Sequence, residues 1–333
     1  MNRVRIAYGG VEYLDRALAL QTGAVSPAGI DLNYVVVPGI GDLFRRVAQF
    51  AEFDAAEMSA CSYFMMLARG DRRFTAIPVF PSRSFRHSQV YVNRKAGIKR
   101  PEDLVGRDIG ILDYQMTAAL WIRAFLQHDY GVSPANVRWW TGGLYTPDFA
   151  ERMPMKLAPD IHHKRIPEHE TLEGMLSAGK LPALVTVEPP RAFLAGSPDV
   201  QRLFPNYREI ELEYFRRTGF FPIMHLVVIR RDVYEKNRWI AVSLVEAFER
   251  AKEVGRARMH YQGAYAVSLP WLNAEMEVVD NLFGGDAFPY GVTKNRKILE
   301  QMVVYAHEQG LTECRLEVDE LFAPETYQDS VPG

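Results

Sequence analysis

The sequence predicts an α/β protein of two lobes, each a mainly parallel sheet flanked by helices. Along residues 4–80, short apolar runs of strand length alternate with stretches of helical period, and residues 90–187 repeat this alternation. Another apolar strand follows at residues 222–230. A chain of 333 residues is long enough for two domains of ordinary size. Since the chain leaves the first lobe and later returns to it, we expect a clamp with a ligand cleft between the lobes.

Turn residues set the bounds of the elements in the first lobe. Gly9 and Gly10 follow the first strand, Gly70 stops the third helix, and Pro81 ends the fourth strand. The predicted strands cover residues 4–8, 32–37, 55–59 and 74–80, and the predicted helices cover residues 13–20, 43–50 and 63–68.

The second lobe follows the same alternation with one interruption. Its predicted strands are residues 90–93, 109–112, 137–141 and 184–187, and its helices are residues 117–127 and 171–177. Residues 142–170 are rich in proline and glycine and predict an irregular insertion. After the return strand, three helices are expected at residues 239–261, 264–283 and 294–309. Lobe one then comprises residues 1–89 and 222–333, and lobe two comprises residues 90–221.

Composition and charge exclude several classes of protein. Hydrophobic residues make up 48% and charged residues 24% of the chain, which excludes a disordered or fibrous protein. Lys+Arg 39 against Asp+Glu 41 leaves a net charge of −2, too balanced to hold a nucleic acid through a basic field. No apolar run reaches the length of a membrane span. Two cysteines and an opening segment without a signal-peptide core predict a cytoplasmic protein.

A cationic segment lies where the first lobe passes into the second. Arg83, Arg86 and His87 fall within five residues and alternate with hydroxyl side chains. Guanidinium groups hold carboxylates through paired hydrogen bonds, so this segment is a candidate anion site. The alternative is a solvated linker, and its position at a strand end beside the expected cleft favours binding.

Two further candidate binding segments each follow a predicted strand. Tyr114, Gln115, Met116 and Thr117 precede a helix, where Thr117 is the expected N-cap and free N–H groups favour an anion. Residues Thr141, Gly142 and Gly143 let the backbone approach a ligand closely, although such glycines also form ordinary turns.

The remaining candidates are isolated polar residues near apolar strands. Ser59 and Ser62 are placed to bind a ligand hydroxyl, and no G-x-S-x-G motif marks either as a nucleophile. His225 lies in the apolar return strand, so it is either a buried core histidine or a proton-transfer group facing the cationic segment. Glu188 is a candidate base.

Motifs for common cofactors are missing from the sequence. There is no HExxH, no G-x-G-x-x-G and no Walker A sequence, which argues against zinc-protease, nicotinamide, flavin and ATP chemistry. We predict no organic cofactor and no protein metal site, and a divalent metal held partly by catechol oxygens stays an open alternative.

Four peptides together resemble one enzyme family. They are FPSRSFRHS at residues 80–88, YQMTAALW at 114–121, RRTGFFPIMH at 216–225 and ELFAPET at 320–326. The chain is similar over residues 4–326 to 4,5-dihydroxyphthalate decarboxylases and related solute-binding-like proteins. This resemblance implies a type II periplasmic-binding-protein fold and the conversion of 4,5-dihydroxyphthalate to 3,4-dihydroxybenzoate and CO2.

The residues permit a mechanism for such a reaction. Arg83 and Arg86 are expected to hold carboxylate, and His87 or His225 is expected to protonate the ring carbon. Hydroxyls of Ser59, Ser62 or Tyr114 are candidates for binding the catechol oxygens. The expected partner is a small aromatic dicarboxylate, with no nucleic acid or membrane; the oligomeric state is not predicted. The main alternative is a solute-binding protein that holds an aromatic carboxylate without catalysis.

Overall fold

The computed structural model describes residues 3–147 and 151–327. By internal contacts the described residues divide into unit 1, residues 3–83, 223–301 and 316–327, and unit 2, residues 84–147, 151–222 and 302–315. In the described parts of both units, no helix has the length and apolar character needed to cross a membrane.

Each unit is built around one β-sheet. In chain order the strands are β1 Val4–Gly10, β2 Ile30–Val36, β3 Ala55–Ser59, β4 Phe74–Arg83, β5 Val90–Asn93, β6 Asp108–Ile111, β7 Arg138–Thr141, β8 His162–Arg165, β9 Ala183–Val185, β10 Val200–Arg202 and β11 Ile223–Arg230. The sheet of unit 1 has the order β2-β1-β3-β11-β4, and the sheet of unit 2 has the order β10-β5-β9-β6-β7-β8.

The helices connect these strands and follow the last of them. They are α1 Leu18–Gln21, α2 Ile40–Phe50, α3 Ala60–Ala68, α4 Thr117–Tyr130, α5 Leu172–Ser177, α6 Arg191–Leu194, α7 Tyr207–Thr218, α8 Arg231–Lys236, α9 Ile240–His260, α10 Leu272–Phe283 and α11 Val292–Glu308. The apolar sequences of α3 and α4 are reflected in their burial, since nearly every residue of α3 and the first ten residues of α4 are buried.

The sheets are mixed but mainly parallel, as predicted, because a single strand in each sheet runs against the others. In unit 1, β1 pairs in parallel with β2 and β3, but β11 pairs antiparallel with both β3 and β4. In unit 2, β5 pairs antiparallel with β9 and β10, and the other pairs are parallel. The reason in unit 1 is the chain path, because β4 carries the chain out of the sheet and β11 brings it back beside β4 in the opposite direction.

Most predicted elements exist, and the misses have local causes. The strands at residues 55–59 and 90–93 have the predicted bounds, and the α/β class is confirmed. Helix α10 begins at Leu272 rather than residue 264, since Pro270 disfavours helical backbone in the residue before it. The insertion at residues 142–170 contains the unpredicted strand β8, and α6, α7, α8 and β10 were also missed. Helix α7 was missed because its apolar period is weak, and it buries only Tyr214.

Candidate active site

The carboxyl edge of the unit 1 sheet collects polar side chains from strands β3, β4 and β11 and from the turn after β1. Strands β1, β3 and β4 all run in one direction, because β11 is antiparallel to both β3 and β4. Their carboxyl ends therefore meet at the edge where β11 begins. In α/β sheets this edge is where ligands bind, since the loops that leave it are not needed to hold the sheet together.

His225 stands at this edge, near the start of β11. It lies opposite Ser59 of β3 and Ser82 of β4, and residues opposed in a ladder point to the same face. The ring of Phe44 from α2 meets the imidazole edge-on, with ring centroids 4.8 Å apart. The His225 side chain keeps 16% of its surface exposed, so it is held by the sheet but accessible.

Glu57 is the partner of His225 and is completely buried. It lies two residues before Ser59 in β3 and therefore on the same face. Its Oε1 is 2.6 Å from Nδ1 of His225 and accepts a hydrogen bond of 2.7 Å from the hydroxyl of Tyr13. A carboxylate without solvent needs a counter-charge and hydrogen bonds, and Oε1 has an imidazole and a phenol, while Oε2 has no hydrogen-bond partner among the described residues. Glu57 thus fixes the ring of His225 with Nδ1 inward.

Three tyrosines lie near Glu57; Tyr8 is buried, and Tyr13 and Tyr34 are half-buried. Burial raises the pKa of Tyr8, Tyr13 and Tyr34 well above the ordinary value, and the negative charge of Glu57 raises each further. These phenols therefore stay neutral and act as hydrogen-bond donors at any working pH. The Tyr13 hydroxyl uses this capacity on Glu57, and the Tyr34 hydroxyl donates to the carbonyl of Val11 at 2.7 Å.

The other predicted residues of unit 1 are buried inside it. Ser59 lies beside His225, and Ser62 lies in the first turn of α3. The guanidinium of Arg83 donates to the carbonyl of Pro289 at 3.0 Å and to the side chain of Asn295. Burial lowers the pKa of Arg83 to about 9. Arg83 thus ties the end of β4 to the segment before α11.

Arg86 and His87 belong to unit 2, where His87 is buried and Arg86 is half-buried. Arg86 donates to the side chain of Gln89 at 2.9 Å, and burial lowers its pKa to about 10. The imidazole of His87 stacks on Phe125, with ring centroids 4.0 Å apart, and only 2% of the residue is exposed. Burial lowers the pKa of His87 to about 4, so the ring is neutral at ordinary pH. This setting favours a packing role, and His87 has no part in the mechanism proposed below.

Glu211 beside His87 makes the stability of unit 2 depend on pH. Its carboxylate accepts from the backbone N–H of His87 at 3.0 Å, and burial raises its pKa from 4.5 to about 7. Because folding raises the pKa of this carboxyl, its protonated form stabilises the folded protein fully below pH 4.5, and this stabilisation is lost as the pH rises through 7.

We therefore expect Glu211→Gln to have a higher melting temperature than the native protein at pH 8. At pH 5 the difference in melting temperature should be much smaller. The gain should be on the order of 1–3 kcal/mol, because the amide is not charged in the interior. Thermal melts at both pH values check this. Glu213→Gln, an exposed position on the same helix, is the control. A margin that is equal at the two pH values contradicts the expectation.

The residues predicted before α4 are also buried in unit 2. The Tyr114 hydroxyl donates to the carbonyl of Gln309 at 3.3 Å, and the Gln115 amide donates to the carbonyl of Met153 at 3.0 Å. The prediction that Thr117 is the N-cap of α4 is wrong, because Met116 is the N-cap, with extended backbone, and Thr117 is the first helical residue. The Asp113 side chain instead receives the N–H of Gln115 at 3.1 Å.

Thr141 and Gly142 line a cavity of about 320 Å³ at the carboxyl ends of β7 and β8. The Thr141 hydroxyl lies 3.1 Å from Nε2 of His163, and a Cβ on Gly142 would come within 2.4 Å of Ile166. Gly143 is buried beside them, whereas Glu188 is exposed. In residues 3–147 and 151–327, no three His, Cys, Asp or Glu side chains gather as metal ligands.

The structure thus brings Ser59 and His225 together, while Glu57 and Tyr13 were missed by sequence reasoning. Arg86, His87 and the segments at residues 114–117 and 141–143 fall in the other unit. One signal for Glu57 was present in the sequence, since it is a charged residue in the middle of an apolar strand. No comparable signal marked Tyr13.

Comparison with known proteins connects the chain to one group of enzymes by sequence. No family model matches the chain. It is 33% identical over 324 residues to a 4,5-dihydroxyphthalate decarboxylase of Comamonas testosteroni, covering 97% of this chain and 98% of that protein. It is 33% identical over 220 residues to a 4,5-dihydroxyphthalate decarboxylase of Pseudomonas putida, covering 66% of this chain and 84% of that protein.

Solved structures show the fold at much lower identity. The periplasmic aliphatic sulphonate binding protein SsuA of Escherichia coli superposes with a TM-score of 0.56 at 13% identity, covering 97% of this chain and 99% of that one. The desulfurization enzyme DSZB superposes with a TM-score of 0.53 at 15% identity, covering 98% of this chain and 98% of that one. The predicted periplasmic-binding-protein-like fold is confirmed, and this fold occurs in both binding proteins and enzymes.

Proposed function

Because the chain belongs to the 4,5-dihydroxyphthalate decarboxylase family, we propose that it converts 4,5-dihydroxyphthalate to 3,4-dihydroxybenzoate and CO2. In this reaction the protein acts as a carbon–carbon lyase on a small aromatic acid. The observation that carries the proposal is His225, held at its Nδ1 by the buried carboxylate of Glu57 at the ligand-binding edge of a sheet.

The reaction needs a proton donor at a ring carbon. Each carboxylate of 4,5-dihydroxyphthalate has a hydroxyl para to it, and that oxygen pushes electron density onto the carbon that bears the carboxylate. The carbon takes a proton, the bond to the carboxylate breaks, and its electron pair returns to the ring as CO2 departs. One proton is consumed in each turnover, and the donor recovers it from solvent.

We assign proton delivery to Nε2 of protonated His225. An imidazole titrates close to neutral pH, so it gives up a proton and recovers it more readily than other side chains. Nδ1 is held by Glu57 at 2.6 Å, and we assign the contact with the substrate to the other ring nitrogen, Nε2. The partial exposure of the side chain supports this assignment.

Glu57 and Tyr13 act as positioning residues for His225. The negative charge of Glu57 stabilises the imidazolium that donates the proton, and the hydrogen bond fixes the orientation of the ring. Tyr13 donates to the same oxygen at 2.7 Å and so holds the carboxylate in place. Both residues are set by the edge of the sheet and by the turn after β1, so the donor is oriented before substrate binds.

A solute-binding protein for an aromatic carboxylate is the second candidate function, because SsuA shares the fold. A binding protein has no need of a buried acid–imidazole pair, which favours the enzyme. We also propose a cytoplasmic location, supported by the exposed thiol of Cys314, which a reducing compartment tolerates.

The direct test is to incubate the purified protein with 4,5-dihydroxyphthalate in D2O and to follow CO2 and product. We expect stoichiometric CO2 and 3,4-dihydroxybenzoate with one deuterium at the carbon that lost its carboxylate. Phthalate is the control substrate, since it has no hydroxyl para to a carboxylate and should release no CO2. Tight binding of 4,5-dihydroxyphthalate without release of CO2 would favour the binding protein instead.

A further inference from the structure

Arg16 is a cation at the same edge of unit 1 as His225, and no pattern in the sequence singles it out. It lies in the turn after β1, where the carbonyl of Tyr13 accepts from the N–H groups of Ala17 and Leu18, both at 3.0 Å. This turn folds Arg16 back over Tyr13, three residues before it. Its guanidinium carbon is 4.1 Å from the centroid of the Tyr13 ring and 4.4 Å from that of Phe288. Two aromatic faces therefore hold the guanidinium plane.

Two separate connections link this guanidinium to His225. Through Tyr13, the stacked ring ends in the hydroxyl that donates to Glu57, and Glu57 holds His225. Through β4, Nε of Arg16 donates to the carbonyl of Pro81, and the next residue, Ser82, lies opposite His225 in the ladder. Tyr13 and strand β4 thus hold both Arg16 and the proposed proton donor in place.

The guanidinium of Arg16 has N–H groups that can donate hydrogen bonds to a ligand. Nε is used by Pro81, and Nη1 lies 2.6 and 2.8 Å from the two carboxylate oxygens of Asp15. Nη2 makes no hydrogen bond within the described residues, and it is not among their buried atoms without a partner. The Arg16 side chain is 14% exposed, so the Nη2 edge is the part that reaches solvent. Arg83 differs, because its Nη2 is used by Pro289 and Asn295.

We propose that Nη2 of Arg16 binds the carboxylate that stays on the ring, while His225 protonates the neighbouring carbon. The inference rests on the proposed decarboxylation and defines its substrate class as aromatic acids with two adjacent carboxylates. A guanidinium held in one plane donates to a carboxylate without first losing side-chain freedom, which favours this recognition. The cation then selects diacids over monoacids and sets which ring carbon faces His225.

The test compares the binding of phthalate and of benzoate, which differ by one carboxylate and have no hydroxyl to drive CO2 release. We expect the native protein to bind phthalate more tightly than benzoate by calorimetry. In Arg16→Gln, phthalate should bind about 10- to 100-fold more weakly, because a charge-assisted hydrogen bond is lost. Benzoate affinity should change about 2-fold or less, because its single carboxylate can take the position of the carboxylate that leaves, away from Arg16.

Arg45→Gln is the matched control, since Arg45 is an exposed arginine of α2 in the same unit that pairs with Asp42 at 2.8 Å. It should leave the affinity for both acids unchanged. Arg16→Lys is the second variant in case the glutamine variant does not fold. It keeps the charge but has no planar fork, so phthalate should bind about 3- to 10-fold more weakly.

The outcomes separate this inference from the proposed reaction. Equal affinity of the native protein for the two acids overturns the role of Arg16, as does unchanged phthalate binding in the folded variants. Phthalate binding that depends on Arg16 in a protein that releases no CO2 overturns the decarboxylation but keeps the diacid site. For an active enzyme we also expect Arg16→Gln to raise KM more than it lowers kcat.

Discussion

Replacing His225 with glutamine should lower kcat for 4,5-dihydroxyphthalate by about 10²- to 10⁴-fold, the usual contribution of a positioned general acid. Glutamine fills similar space and still makes hydrogen bonds, but it cannot carry a proton to the ring carbon. Since His225 is near the start of β11 and partly exposed, the melting temperature should change little. Initial rates of CO2 release and thermal melts of the same preparation check both expectations.

Two other histidines serve as controls for this experiment. His128→Gln changes a half-exposed imidazole that pairs with Glu308 at 2.9 Å in unit 2, and it should leave kcat unchanged. His87→Phe replaces a buried, neutral ring stacked on Phe125 and should also retain activity. If His87→Phe lost activity while His225→Gln kept it within about 10-fold, the proton donor would be His87 and our assignment would fail.

Glu57→Gln should lower kcat by about 10²- to 10³-fold, because it removes the counter-charge of the imidazolium and keeps the shape of the side chain. A higher proton concentration is then needed to keep His225 protonated, so we expect the highest rate to move to lower pH. The amide oxygen still accepts the hydroxyl of Tyr13. Rate–pH profiles of the variant and the native protein measure both effects.

The same variant distinguishes a catalytic pair from a structural one. Removing one member of a buried ion pair destabilises a protein when the other member stays charged. The partner here is a partly exposed imidazole, which can give up its proton, so Glu57→Gln should melt close to the native protein. Glu52→Gln is the control in the same unit, at an exposed carboxylate that pairs with Arg46 at 2.5 Å, and it should change neither rate nor melting. Full activity in Glu57→Gln, or unfolding without any change in the rate per folded molecule, would contradict the role of Glu57.

Local patterns in the sequence were sufficient to predict much of the fold. The apolar runs at residues 55–59 and 90–93 are strands with the predicted bounds. Each is buried inside a sheet, and polar residues mark its ends in the sequence. Helix α4 begins where it was expected and ends at Gly131, in left-handed backbone with φ of 70°, a conformation that glycine adopts without strain. Weakly periodic elements such as α7, and the short strands β8 and β10, offered no such pattern.

The candidate site was predicted only in part, because its residues come from distant parts of the chain. His225 was a candidate from the sequence, but the carboxylate that holds it is 168 residues away. Of the two arginines chosen from their density in the sequence, Arg83 is buried and Arg86 is half-buried, and each makes hydrogen bonds within its own unit. A high density of charge in a sequence does not show which side chains make hydrogen bonds inside the folded protein.

The sequence by itself determined the α/β class, the family and the positions of most strands, because these depend on local hydrophobic period and on long similar peptides. Tertiary structure alone decided which polar groups meet. The antiparallel return of β11 between β3 and β4 brings His225 beside Glu57, and the turn after β1 brings Tyr13 and Arg16 to the same edge. Strand register and chain path set those contacts, and neither can be deduced from residues close together in the chain.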